Sequence, residues 1–295
     1  MNILVTGANG FTGQHLSVFL AEKGFSVHAV SRGPSRLQPH SNIQYYECEL
    51  TNVSSVLKVV EVIQPDWIIH VAAMSKPDEC DVNREKCLKQ NVDATIHLGA
   101  AAQKVNARFV YFSTDFIFGE NGPHKEDDIP NPLNFYGESK WKAEQWVSSQ
   151  ITNPVIVRPV FMYGPQHKNG RASFIQWVEK QLSQGKPIKV VNDQYRTPTY
   201  IKDICLGVQS IMVQNQTGIF HLAGPQIITP YDMAIEVAKV LSLNQSLITP
   251  VDSNTFPEPV IRAKRSGLQI DKARKVLNYK PHSFSEGVHL SFAAK

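Results

Sequence analysis

The sequence predicts an α/β fold, a doubly wound parallel sheet with a smaller C-terminal lobe. Three observations predict it. Short apolar runs alternate with helically periodic segments through the first half of the chain. Most of these runs are continuous rather than alternating, which is how strands buried on both faces read. A glycine-rich turn joins the first run to the first helical segment. Crossovers between such strands are right-handed.

In order, residues 2–6 read as a buried strand ended by Gly7, and residues 13–23 as a helix, with Leu16, Phe19 and Leu20 on one face and Gly24 as the stop. Strands follow at 25–30 and 43–47, a helix at 53–63 closed by Pro65, and a strand at 67–72. Residues 92–104 form an Ala-rich helix, 108–113 a strand, 138–150 a helix and 155–158 a strand. After Pro165 prolines and glycines become frequent and strands shorten. The division expected is a dinucleotide-binding domain over 1–164 and a lobe over 165–295, with 219–222 returning to the main sheet.

Composition bounds the function. The chain has 295 residues, 42% hydrophobic and 19% charged, enough apolar material for a buried core. Lys and Arg number 30 against 26 Asp and Glu, a net charge of +4 with no dense basic run, so no nucleic-acid partner is expected. No apolar run approaches the ~20 residues of a membrane span, and the N-terminus lacks the basic region and cleavage site of a secretion signal. Cys48, Cys80, Cys87 and Cys205 show no C-x-x-C or zinc spacing and read as reduced, buried thiols. A cytoplasmic protein with no metal site is expected.

Gly7-Ala8-Asn9-Gly10-Phe11-Thr12-Gly13 has the spacing G-x-x-G-x-x-G between a strand and a helix. Glycines let the backbone turn tightly and approach a pyrophosphate, and the helix start offers unpaired N–H groups. After the second strand stand Ser31, Arg32 and Gly33, with Arg36 close behind, where NAD sites place an acid. A guanidinium suits a 2′-phosphate, which favours NADP(H) over NAD(H). Tyr136 and Lys140 form Y-x-x-x-K on one helical face, so the ammonium is expected to lower the phenol's pKa and make proton exchange with a carbonyl practical. Ser113, Thr114 and Asp115 end the preceding strand, where ligands of open α/β sheets bind. Thr114 is the favoured hydroxyl, ahead of Ser113; turn capping is the competing reading. Arg158, Arg171, Arg196 and Arg262 are candidates for a substrate diphosphate, Arg196 foremost.

These pieces resemble the extended short-chain dehydrogenase/reductase family over nearly the whole chain. The segments that carry the resemblance are 7–13, 65–73, Asn91, 113–115, 136–140 and Arg158-Pro159. Residues 113–119, 191–199 and 78–80 are similar to the dTDP-4-dehydrorhamnose reductase branch. The resemblance implies a Rossmann-type fold, Tyr136 as general acid, Lys140 as its partner and a cofactor-ribose ligand, and Thr114 as the orienting hydroxyl. It places Ala72, Ala73, Met74 and Asn91 along the cofactor, Glu49 and Leu50 near its adenine, and Ser75, Asp115, Phe116, Phe161 and Arg196 toward a nucleotide-sugar substrate.

Departures from the branch fall on the substrate side. Phe116 stands where Tyr is usual, Phe161 where Trp is usual, Met74-Ser75 where Tyr-Thr is usual, and Arg262-Ala263-Lys264-Arg265 where Arg-Pro is usual. Thr114 is followed by Asp115-Phe116, without the Asp-Glu pair of sugar-nucleotide dehydratases or the Cys of epimerase-reductases. The activity expected is therefore NADPH-dependent reduction of a 4-keto sugar nucleotide. The alternatives are an epimerase, another keto-reductase, or a non-catalytic NADP-binding regulatory subunit. A homodimer is compatible with this reading.

Overall fold

The computed structural model describes residues 1–167, 172–256 and 259–293. Seven parallel strands form the main sheet. They are β1 (Asn2–Thr6), β2 (Ser26–Ser31), β3 (Ile43–Glu47), β4 (Trp67–His70), β5 (Arg108–Phe112), β6 (Val155–Pro159) and β10 (Gly218–Leu222). Their order is β10-β6-β5-β4-β1-β2-β3. Strand order reverses between β1 and β4, which opens a crevice at the carboxyl ends of the strands. Residues 219–222 do return to the sheet, pairing in parallel with β6 from Ile219↔Ile156 to Leu222↔Pro159. Two small parallel pairs lie outside the main sheet. β7 (Met162–Tyr163) pairs with β9 (Thr199–Tyr200), and β8 (Ile188–Val191) with β11 (Ile248–Val251).

Strand alternation divides the core. Ile3 and Val5 face one side with α1 (Phe11–Glu22) and α8 (Ile201–Val213), in a cluster that continues through the lobe to Val288. Leu4 faces the other side with α2 (Val53–Ile63), α5 (Ala94–Lys104) and α6 (Phe135–Gln150). Two short helices, α3 (Pro77–Val82) and α4 (Arg84–Leu88), and a wide turn at Lys89–Asp93 precede α5. The remaining helices are α7 (Phe174–Ser183), α9 (Pro230–Val240), α10 (Asp271–Leu277) and α11 (Phe284–Phe292). Among the described residues no helix is long and apolar enough to cross a membrane.

Local chemistry moves several element ends from their sequence expectations. β4 stops at His70 rather than residue 72 because the N–H groups of Val71 and Ala72 turn away to donate to Thr6 Oγ1, at 3.1 and 3.2 Å. α6 starts at Phe135 rather than 138 because Asn134 caps it, accepting from Gly137 N at 3.0 Å. Tyr136 thus sits in the first turn. Gly137 has no room for a side chain: a Cβ there would run into the Phe116 carbonyl, so the helix start packs directly on the segment after β5. α1 likewise starts at Phe11, two residues earlier than periodicity indicates.

Arg158, a sequence candidate for substrate phosphate, is structural. It is 2% exposed and forked onto the Glu144 carboxylate, with Nε 3.3 Å from Oε2. Its Nη1 donates to Glu126 O at 3.0 Å and to His221 Nε2 at 3.2 Å. Burial, then the Arg158 charge, push the His221 imidazole down to about 3, so the ring is neutral and can accept that bond. Removing one member of a buried pair strands the other charge at a cost of ~3–5 kcal/mol. Glu144→Ala is expected to lower unfolding free energy by about that amount, as urea unfolding would report.

Candidate active site

A cleft of about 710 Å³ runs along the carboxyl ends of the strands. The glycine turn forms its floor. Gly7 has φ +66°, and a Cβ on it would lie 2.9 Å from the backbone N and Cα of Ala72. Gly13 abuts the Gly7 carbonyl more closely still. Gly10 starts α1 with no side-chain cap and no acidic residue follows in the first turn, so the helix's N–H groups and positive dipole end are left for an outside anion. The cleft is within the size of small-molecule and cofactor sites, ~300–1,000 Å³. Volume, uncapped helix and absent side chains fit a dinucleotide.

Most predicted cofactor residues line this cleft: Gly7, Asn9, Gly10, Phe11, Thr12, Gly13, Ser31, Arg32, Arg36, Glu49, Leu50, Ala72, Ala73, Tyr136 and Lys140. Asn9 also works on the protein itself. Its Nδ2 donates to the carbonyls of Arg32 and Pro34, both at 3.0 Å, and its Oδ1 accepts from Arg36 N at 2.8 Å. Tyr45, which periodicity gave no reason to single out, completes the clamp by donating to Gly33 O. The loop bearing both arginines is thereby set at the cleft rim. Arg32 Nη1 lies 3.7 Å from Glu49 Oε2 in a solvent-exposed pair, a weak interaction that a phosphate could displace.

Met74 and Asn91 are not among the residues lining the cleft; they support it. Asn91 Oδ1 accepts from Met74 N at 2.7 Å, and its Nδ2 donates to Met74 O at 3.0 Å and Ser139 Oγ at 2.9 Å. The Met74 side chain packs beside Cys80, Cys87 and Tyr136. A buried chain of hydrogen bonds extends from here. Ser139 Oγ donates to Tyr136 O at 2.7 Å, and Thr95 Oγ1 donates to Asn91 O, also at 2.7 Å. His70 Nε2 is 3.0 Å from Thr95 Oγ1, and His70 Nδ1 is 2.8 Å from Thr6 Oγ1. Because the Thr95 hydroxyl already donates, His70 carries its proton on Nε2 and accepts from Thr6. Burial, with Lys140 nearby, pushes His70 down to about 3 and keeps it neutral.

Tyr136, Lys140 and Glu144 follow one another at intervals of four on one face of α6. Burial pushes Lys140 down to about 7, opposed by Glu144 and the two nearby thiols. Its Nζ sits 4.2 Å from the centroid of the Tyr111 ring. Tyr136 is pushed up by burial, opposed by a hydrogen bond from Thr114. This differs from the sequence expectation that Lys140 makes the phenol acidic. Desolvation dominates at both groups, and Thr114 is the neighbour that favours the phenolate. Thr114 also caps the turn at Asp115–Ile117, its Oγ1 accepting from Phe116 N at 3.2 Å. The cap leaves Thr114 beside Tyr136.

A second cavity of about 430 Å³ adjoins at Phe116, whose ring stands edge-on to Tyr136 at 5.4 Å. Asp115, Phe116, Phe161 and Arg196 line it, with Phe174, Trp177, Lys189 and Arg262. Phe161 holds φ +32°, an uncommon backbone for a bulky residue. Arg262 is forked onto Asp78 at 3.0 and 3.1 Å, and Arg196 donates to Gln194 and lowers the Asp115 carboxyl against the rise that burial imposes. Ser75 lies on the first cleft instead of this cavity. Arg171 lies outside the described residues. Among the lining residues of the first cleft that the sequence left unassigned are Met162, whose Sδ accepts from Thr12 Oγ1 at 3.4 Å, and His167, whose ring is tilted against His15 at 4.1 Å. Both follow β6 and reach the cleft only through tertiary folding. All four cysteines are free and buried. Among the described residues no cluster of three or more His, Cys, Asp or Glu could hold a metal ion.

Residues 1–295 match the family described as the RmlD substrate binding domain. The beta subunit of methionine adenosyltransferase 2 from Xenopus laevis is 31% identical over 255 residues, covering 84% of this chain and 74% of that protein. A protein of Haloferax volcanii named as a low-salt glycan biosynthesis reductase, Agl14, is 28% identical over 273 residues, covering 92% and 90%. The crystal structure of dTDP-4-dehydrorhamnose reductase from Bacillus anthracis in complex with NADP superposes with a TM-score of 0.86 at 26% identity, covering 100% of this chain and 99% of that one. Glycine turn, Tyr–Lys helix and full-length match agree, and the chain belongs to the RmlD family of extended short-chain dehydrogenases/reductases.

Proposed function

We propose that this protein reduces the ketone of a 4-keto sugar nucleotide with NADPH. The observation that carries the reading is the meeting of two cavities at Tyr136. The phenol lines the dinucleotide-shaped cleft, and Phe116, packed on its ring, lines the aromatic and cationic cavity. A group bridging both would put its reacting atom beside Thr114, Tyr136 and Lys140. The Bacillus anthracis relative, with NADP bound, supports a nicotinamide cofactor.

A reduced nicotinamide, when bound in the cleft, would supply the hydride for the carbonyl carbon. Tyr136 Oη gives its proton to the carbonyl oxygen, completing an alcohol. Thr114 Oγ1 orients that oxygen and already favours the phenolate by its bond to Tyr136. Lys140, when protonated, stabilises the charge left on Tyr136. Gly7, Gly10 and Gly13 leave room for the diphosphate at the start of α1, and Arg32 and Arg36 meet a 2′-phosphate. Arg196 and Arg262, with Lys189, face the substrate diphosphate, and the Phe161–Phe174–Trp177 rings offer a surface for its base.

A second reading is a cofactor-binding regulatory subunit. The match to the methionine adenosyltransferase beta subunit favours it, together with Phe116 and Phe161, which lack the hydroxyl of the Tyr and the larger ring of the Trp usual there. A panel of keto sugar nucleotides, followed by loss of reduced-nicotinamide absorbance, separates the two. Turnover of any member supports the reductase. Dinucleotide binding without turnover, with a partner enzyme co-purifying, supports the subunit.

Three outcomes are expected of the reductase. Tyr136→Phe keeps NADPH affinity and lowers kcat ~10²–10⁴-fold, the usual worth of a positioned acid; an unchanged kcat would refute the assignment. Arg32→Ala with Arg36→Ala weakens NADPH binding and leaves NADH nearly unaffected, measured by fluorescence titration. Because Lys140 is held down to about 7, it loses its charge as pH rises through neutrality. The rate therefore declines above that pH, and Lys140→Arg, which stays charged, flattens that limb of the profile.

A further inference from the structure

Ser113 is 5% exposed and lines the dinucleotide cleft, and its Oγ is shut off from solvent with no hydrogen-bond partner. A buried hydroxyl left unpaired is costly, and native structures rarely keep one without a reason. The position is not slack. Ser113 N donates to Val157 O at 2.8 Å, so the backbone is still held by the sheet. Alternation along β5 puts residue 113 on the face of Phe109 and Tyr111, the face that α6 covers. Tyr111 on that face bears the Lys140 ammonium on its ring and donates to Lys140 O at 3.3 Å. Ser113 thus belongs to the redox end of the cleft.

What surrounds it narrows the ligand group. β4 pairs with β5 as far as His70↔Tyr111, and Val71 and Ala72 follow directly at that end of the sheet. β6 pairs with β5 at Phe112↔Val157, which brings Pro159 just beyond. Val71, Ala72, Phe112 and Pro159 all line the cleft and none offers a polar side chain. Such a wall suits an aromatic ring face with one polar substituent. A hydroxyl can both donate and accept, as a carboxamide requires.

We infer that Ser113 holds the carboxamide of the nicotinamide ring and so fixes the ring's orientation beside Tyr136. This rests on the reading of the cleft as a nicotinamide-dinucleotide site. It makes Ser113 a cofactor-binding residue distinct from Thr114, which serves the substrate oxygen.

The test is a binding cycle on the whole protein with three probes: NADP⁺, its analogue with unsubstituted pyridine in place of nicotinamide, and ADP-ribose 2′-phosphate. Wild type is expected to prefer NADP⁺ over the pyridine analogue. Ser113→Ala is expected to shrink that preference by about 3- to 10-fold, the worth of one neutral hydrogen bond, while binding ADP-ribose 2′-phosphate as wild type does. Equal preference in Ser113→Ala and wild type overturns the inference. So does an equal loss for all three probes, which marks a structural role. Should Ser113→Ala fail to fold, wild type alone still decides: no preference for the carboxamide overturns the proposal. If wild type binds none of the three, the dinucleotide reading itself fails.

Discussion

Thr6 ends two strands at once, and the site follows from that. Its hydroxyl takes the N–H groups of Val71 and Ala72 that would otherwise continue β4, and it donates to His70. The chain is turned outward at the reversal of strand order, and the crevice opens there. The same hydroxyl begins the buried series through His70, Thr95, Asn91 and Ser139 to the Tyr136 carbonyl. Each polar group in that series has a partner, so burial does not penalise it, and satisfied networks of this kind hold one geometry. The floor of the cleft and the first turn of α6 are thereby tied to one another.

Burial also sets the charge state of α6. Tyr136, Lys140 and Glu144 share one face, but only Glu144 has a full counter-charge, in Arg158. Lys140 lies over an aromatic ring and under a cleft, and desolvation brings it near neutrality. Proximity by itself does not make a phenol acidic when both groups leave water; a hydrogen bond to the phenolate from Thr114 contributes more directly. Cys80 and Cys87 illustrate the same competition: a bond from Cys80 lowers Cys87 and raises Cys80.

The two cavities differ in chemistry as well as place. The cleft is floored by glycines, which allow close approach to backbone, and rimmed by charged groups such as Arg32, Arg36 and Glu49. The second cavity is walled by rings and guanidinium groups drawn from both sides of residue 165. Phe116 belongs to both surroundings through Tyr136, so a change there alters the substrate wall without touching the glycine turn.

How much was legible beforehand follows from the range of each interaction. Gly7 to Gly13 could be read from sequence because tight turns and uncapped helix starts are local events. Tyr136 and Lys140 could be read because helical spacing is local too, and buried parallel strands announce themselves by unbroken apolar runs. Asn91 and Met74 were expected along the cofactor; in the structure they stand behind the cleft wall, because their hydrogen bonds join segments far apart in the chain. Arg158 was open to a phosphate role until Glu144, fourteen residues earlier on another element, took its fork. Tyr45, Met162, His167 and the unpaired hydroxyl of Ser113 carry no local signal at all. The sequence by itself determined the order of strands and helices of the main sheet, the glycine turn and the pair of groups on α6. Only the tertiary structure decided which polar groups are desolvated, which find partners and which are left without one, because desolvation and pairing depend on what packs against a residue from elsewhere in the chain.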